Sequence, residues 1–256
     1  MPSDKLFGIN PVLEALRAGR PIQRLLIAQE RKKDRSLQAI VDLARKAGVE
    51  VRTTARSALD REAPGAVHQG VIAFAAARGY ASLDDILAIP AQKSEAGLYL
   101  VLDGVEDPRN LGAILRTAET AGVHGVIIPE RRAAGLTEAV AKSAAGALEY
   151  VPVVKVVNIV SALEELKKAG LWVVGADAEG GRLFWDVDLA GPTVIVLGGE
   201  DRGVRRLVRE TCDHVVSLPL RGQVSSLNVS VVAGVMLYEA LRQRSSKTPR
   251  HSPAIY

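Results

Sequence analysis

The sequence predicts an α/β protein in which a parallel sheet, covered by helices on both faces, is preceded by a smaller α/β domain. Three observations lead there. From residue 98 onward, short runs that are apolar almost throughout, such as LYLVLDGV (98–105) and TVIVLGGE (193–200), alternate with helical patterns. Strands of that kind are buried on both sides, as parallel strands joined by helices are. Residues 5–77 show the same alternation on a smaller scale, and the polar stretch PAQKSEAG (90–97) separates the two regions.

In order, the first region reads PVLEALRAG as helix, IQRLLIA as strand, SLQAIVDLARKAG as helix, VEVRTT as strand, SALDREA as helix and GVIAFAA as strand. Gly19 and Gly48 close the first two helices. The small domain is therefore placed at 1–78, with a linker over 79–96 that begins with the short helix SLDDILAI. The main domain, 97–246, continues as LYLVLDGV (strand), NLGAILRTAETAG (helix), GVIIPE (strand), LTEAVAKSAAGALEY (helix) and VPVVKV (strand). It ends with SALEELKKAG (helix), LWVVGAD and TVIVLGGE (strands), VRRLVRETC (helix), HVVSLPL (strand) and QVSSLNVSVVAGVMLYEALR. This last segment is apolar on every side and is expected to be a buried helix, with Ser225 or Ser226 as its N-cap. The tail at 247–256 has little apolar content and is expected to be disordered.

Composition narrows the function classes. The chain has 256 residues, 48% hydrophobic and 24% charged, and no apolar run near the length of a membrane span. Its first residues lack the pattern of a secretory signal, so a cytoplasmic protein is expected. One cysteine, Cys212, and four histidines without ligand spacing argue against thiol and metal chemistry. Residues 1–80 hold 14 Lys and Arg against 8 Asp and Glu, whereas residues 95–246 hold 16 against 19. The basic excess is N-terminal, which suits a polyanionic partner or, equally, an ordinary solvated surface.

Three strand ends carry residues that packing alone does not require, and ligands of parallel sheets gather beyond such ends. DGVEDPRNLGAILRTAETAG (103–122) places Arg116 opposite the apolar stripe Leu111, Ile114, Leu115 and Ala118, with Arg109 on nearly the same side. Asn110 could cap this helix. TVIVLGGEDRGV (193–204) brings Gly198, Gly199 and Gly203 to the sheet edge around Glu200, where bare backbone admits a flat ligand. Glu200 could equally be a first-turn acid of the next helix. No dinucleotide fingerprint or phosphate-binding P-loop is present. SLPLRGQVSSLNVSVVAG (217–234) sets Leu218, Leu220, Ser226, Leu227 and Asn228 before or within the last helix, and its buried polar groups need partners.

These three segments, in this order, resemble the three motifs of the SpoU (TrmH) family of RNA 2'-O-ribose methyltransferases, within the SPOUT superfamily. AKSAAGALEYVPV is also typical of that family. GINPVLEALRAG and APGAVHQGVIAF resemble its small L30e-like substrate-binding domain, found in the branch typified by 23S ribosomal RNA guanosine 2'-O-methyltransferases. Asp201 departs from the small residue common at its place.

The resemblance implies a C-terminal trefoil knot that binds S-adenosylmethionine and a homodimer in which the catalytic arginine, here Arg116, reaches the partner's site. It implies Gly198, Gly199, Gly203, Leu218, Leu220 and Leu227 as cofactor contacts. Arg116, Asn110, Glu200, Ser226 and Asn228 become the catalytic candidates. The expected substrate is a ribose in 23S ribosomal RNA, with transfer RNA or a ribosomal adenosine as alternatives. A non-catalytic RNA-binding protein is the rival of another class. No membrane and no metal are expected.

Overall fold

The computed structural model describes residues 3–32, 34–200 and 202–246. Asp201 and the tail expected to be disordered lie outside the described residues. The chain packs as two units, one drawing on residues up to 79 and on 135–150, the other on 80–134 and from 151 onward.

The first unit contains β1 (Ser3–Phe7), α1 (Ile9–Arg17), β2 (Ile22–Ala28), α2 (Arg35–Lys46), β3 (Glu50–Thr54), α3 (Arg56–Glu62) and β4 (Val71–Ala76). Its sheet runs β1-β4-β2-β3, with β4 antiparallel to both neighbours and β2 parallel to β3. The amphipathic helices α1 and α2 press Val12, Leu16, Ile40 and Ala44 onto Leu25, Val71 and Ala73 of the sheet. Asp34 caps α2, accepting the Leu37 N–H at 2.8 Å. Strand β1 was not among the expected elements. Its five residues, SDKLF, pair with one neighbour only, and a short edge strand carries almost no periodic signal.

Several basic residues that the charge count assigns to a surface are spent inside this unit. Arg20, with its side chain 10% exposed, donates to Asp4 (2.5 Å), Glu149 (3.1 Å) and the Ala76 carbonyl (2.7 Å). Arg78 also pairs with Glu149, and burial pulls its pKa down, partly offset by that carboxylate. Arg24 stacks on the Phe74 ring, 4.0 Å from its centre.

The second unit comprises α4 (Leu83–Lys93), β5 (Leu98–Asp103), α5 (Pro108–Thr120) and β6 (Gly125–Pro129), then, after α6 (Glu138–Ala144) of the first unit, β7 (Val153–Val156) and α7 (Ile159–Lys168). It continues with β8 (Trp172–Ala176), β9 (Arg182–Leu183), β10 (Thr193–Gly198), α8 (Arg206–Thr211), β11 (His214–Ser217) and α9 (Val229–Ser246). The seven strands are ordered β7-β6-β5-β10-β8-β11-β9, every pairing parallel. Central β5 and β10 are buried almost throughout, which is why they read as continuous apolar runs.

The short helix expected within 79–96 is present and longer than its pattern, running as α4 through Lys93, with Ser82 and Asp85 forming a reciprocal capping box on it. Ile86 of that helix is fully buried beside Tyr99 and Ile127, and the Tyr99 hydroxyl donates to its carbonyl at 3.2 Å. Two expectations about the last helix are corrected. Helix α9 is buried on one side only. Ala233, Met236, Leu237 and Ala240 face inward, while Val231, Val235 and Tyr238 are 49%, 37% and 51% exposed. Its cap is Asn228, whose Oδ1 accepts the Ser230 N–H at 2.9 Å; Ser225 and Ser226 lie in the exposed segment before it.

Two buried titratable groups belong to this core. His124 accepts the Leu98 N–H at Nδ1 (3.1 Å) and meets Glu95 at Nε2 (3.1 Å), so the ring is the Nε2–H tautomer; burial lowers its pKa, with Glu95 opposing. Burial pushes the Cys212 thiol up to about 12, far from the thiolate that nucleophilic chemistry needs.

Candidate active site

The ends of β5 and β10 are tied together before any ligand is considered. Asp103, 2% exposed, accepts the Gly199 N–H at its backbone carbonyl (2.9 Å). Its carboxylate accepts the Arg205 N–H (2.9 Å) and Nε (2.7 Å). This closeness explains the glycines. A Cβ on Gly198 would stand 1.9 Å from the Gly203 carbonyl carbon, and one on Gly199 would stand 2.1 Å from the Gly104 oxygen. Their bare backbone thus serves the approach of the chain to itself, where the sequence suggested the approach of a ligand. Gly203 turns the loop back with φ +60, and its N–H donates to Gly199 at 2.9 Å.

Around this clasp three distant side chains meet. Asn110 Nδ2 donates to Glu200 Oε1 at 2.5 Å, and Asn228 Nδ2 donates to the same oxygen at 3.0 Å and to Asn110 Oδ1 at 3.1 Å. Ser230 fixes the Asn228 amide from behind, its N–H and Oγ both donating to Oδ1 (2.9 and 2.5 Å). The alternatives open in the sequence are thereby decided. Asp107 caps α5 by accepting the Arg109 N–H at 2.7 Å, so Asn110 is free for Glu200. Helix α8 starts at Arg206, so Glu200 is no part of it.

A cavity of about 690 Å³ opens beside this cluster, lined by Gly198, Gly199, Glu200, Gly203, Leu218, Leu220, Ser226, Leu227 and Asn228. All six residues expected to contact a cofactor are on its wall. Asp177, Glu179 and Arg209 also line it, and sequence reasoning missed them. The available signal was the one used elsewhere, a polar residue directly after an apolar strand, here β8. Arg116 is different: it is exposed on α5 and lines none of the cavities described for this chain. Arg109 is exposed too, 3.5 Å from Asp107. No helix is long and apolar enough to cross a membrane, and no cluster of potential metal ligands occurs among the described residues.

Comparison with known proteins places both regions of the chain. Residues 97–238 match the SpoU rRNA Methylase family, and residues 5–81 match the RNA 2'-O ribose methyltransferase substrate binding family. A Bacillus subtilis protein placed in the TrmH family of tRNA/rRNA methyltransferases is 44% identical over 94% of this chain and 96% of its own length. The 23S rRNA (guanosine-2'-O-)-methyltransferase RlmB of Pseudomonas syringae is 46% identical over 95% and 97%. Among solved structures, the SpoU methyltransferase AviRb of Streptomyces viridochromogenes, crystallised with S-adenosylmethionine, superposes with a TM-score of 0.79 at 30% identity, covering 95% of this chain and 91% of that one. With both of its regions matched, and with Asn110, Glu200 and Asn228 from the three strand-end segments joined by hydrogen bonds, the chain belongs to the SpoU rRNA methylase family.

Proposed function

We propose that this protein, an S-adenosylmethionine-dependent RNA 2'-O-ribose methyltransferase, modifies a guanosine of 23S ribosomal RNA in the cytoplasm and works as a homodimer. The observation that carries the reading is the meeting of Asn110 with Glu200 and Asn228, the latter two lining the 690 Å³ cavity. The residues present suit the cofactor. The volume falls in the usual range for small-molecule sites, Leu218, Leu220 and Leu227 offer apolar walls to a purine, and the loop at Gly198–Gly203 offers backbone groups. Asp177 and Glu179 offer carboxylates to hydroxyl or ammonium groups. The trefoil knot implied by family resemblance belongs to this proposal, supported by residues 218–228 lining the same cavity as the loop after β10.

When bound, the cofactor supplies an electrophilic methyl group on a sulfonium. The chain's own residues must hold the ribose hydroxyl in line and manage its proton. Two amide donors fix Glu200 Oε1, and its other carboxylate oxygen accepts no hydrogen bond among the described residues. That oxygen is the proposed acceptor for the hydroxyl proton, with Ser226 and Asn228 orienting the sugar.

Arg116 is the family's candidate activator; in this reading its guanidinium grips a phosphate beside the target ribose and stabilises the developing alkoxide. Its position away from its own chain's cavity, together with exposed Val231, Val235 and Tyr238 on α9, supports a partner subunit that receives it. The 46% identical Pseudomonas relative supports 23S ribosomal guanosine as the target.

Incubation with labelled S-adenosylmethionine and RNA from cells lacking the gene tests the reading: label should appear as 2'-O-methylguanosine in 23S ribosomal RNA. Label in transfer RNA, or on adenosine, overturns the substrate assignment. Absence of transfer by a folded protein points instead to an RNA-binding role. Arg116→Lys keeps the charge and loses the two-pronged grip, so a drop of about tenfold or more is expected; a near-normal rate removes Arg116 from this role.

A further inference from the structure

A second cavity, of about 360 Å³, adjoins the first and shares Gly199, Glu200 and Gly203 with it. Most of its remaining wall comes from the loops after the neighbouring parallel strands β5 and β6, and Asn110, Arg202, Arg205 and Val229 complete it. A nucleotide lodged there would meet Asn110 and Glu200 of the cluster, and Glu200 lines the larger cavity too.

The charges in this smaller cavity sort into two kinds. Asp103 and Arg205 satisfy each other, and Asp107 is committed to the N-terminus of α5. Glu106, Arg131, Arg132 and Arg202 line the cavity, are exposed, and form no hydrogen bond or ion pair with another described residue; Arg202 lines the larger cavity as well. Arg132 also holds φ +59, a backbone conformation that side-chain-bearing residues populate sparsely and that clusters at functional sites.

A carboxylate and arginine forks set around one small cavity match a particular base. Guanine presents N–H donors on its pairing edge, which a carboxylate accepts two at a time, and presents O6 and N7 to an arginine fork. Adenine places a lone pair where guanine has its N1–H, so the same carboxylate repels it. We propose that Glu106, with Arg131 and Arg132, forms a guanine-reading pocket that holds the target base beside the Glu200 cluster. This rests on the methyltransferase reading above and adds the residues that choose the nucleoside.

The test is labelled methyl transfer to total RNA from cells lacking the gene, followed by digestion to nucleosides, with S-adenosylmethionine affinity measured by calorimetry as the check on folding. Glu106→Gln, which keeps size and removes charge, should lower the guanosine rate at least tenfold, raise the ratio of methyladenosine to methylguanosine, and leave cofactor affinity within twofold. Arg132→Ala, which removes a fork to O6 and N7, should lower the rate similarly and also raise that ratio. A Glu106→Gln protein with unchanged rate and unchanged nucleoside ratio overturns the pocket while leaving the enzyme reading intact. Label on a nucleoside other than guanosine in the wild type overturns the pocket as well. A wild type that binds the cofactor and labels nothing removes both.

Discussion

The two sheets of this protein are both built from short strands, yet the Asn110–Glu200–Asn228 cluster forms on only one of them. In the first unit β4 runs against both β1 and β2, so connections leave from both ends of the sheet. In the second unit every pairing is parallel, and the loops after β5, β6, β8, β10 and β11 leave from one end. Asn110, Glu200 and Asn228, as far as 118 residues apart, meet there because strand direction delivers them to the same place. The first unit turns much of its polarity inward as bracing; the second spends it at an edge. Direction, more than residue content, separates a scaffold from a reaction site.

Mutations on either side sharpen that contrast. The largest effect should come from the bracing. Arg20→Ala removes one of the two arginines that hold Glu149, together with the hydrogen bonds to Asp4 and the Ala76 carbonyl, and should destabilise the protein by about 3 kcal/mol, read as a shifted denaturant midpoint, with cofactor affinity untouched. Gly198→Ala should act in the opposite way. It forces the loop away from Gly203, and a displacement near 1 Å at a reaction site costs about 100-fold in rate, measured as methyl transfer under saturating cofactor. If it merely lowered the melting temperature, the edge would be scaffold after all.

Gly48→Ala is the matching change in the first unit. No atom lies within 4 Å of the added methyl, but φ is +67, so a loss of about 1 kcal/mol and no change in rate are expected.

The smallest effect concerns pH. His124 has its pKa lowered in the folded state, chiefly by burial. The unfolded chain therefore binds the extra proton more readily, and the stability this histidine lends is present above its unfolded pKa near 6.5 and is lost as pH falls through the folded value. Melting should drop between pH 7.5 and 5.5, and His124→Gln should flatten that slope.

What the sequence made legible follows the same division. The apolar runs at 98–103 and 193–198 marked central strands because burial on both faces leaves no room for polar residues. Glu200, two residues past its strand, stood out for the same reason, and Asn110 stood out at the start of the helix that follows the other. The partnership between them was not legible, since nothing local encodes a hydrogen bond across 90 residues. Asp103 was passed over because it ends an ordinary strand, although it clasps the glycine loop. Asn228 was read inside a helix that begins one residue later, because Ser225 and Ser226 offer equally good caps on paper. The apolar stripe of Val231, Val235 and Tyr238 looked like core, because periodicity reports that a face is apolar and says nothing of what covers it.

The Asn228 amide is divided between two duties: its oxygen starts helix α9 and its nitrogen holds Glu200. Fraying of that first turn and release of the carboxylate are consequently one event. A ligand gripping Glu200 should slow hydrogen exchange at the Ser230, Val231 and Val232 amides, protons it never touches. The last helix would then report, from within the backbone, whether the reaction chamber is engaged.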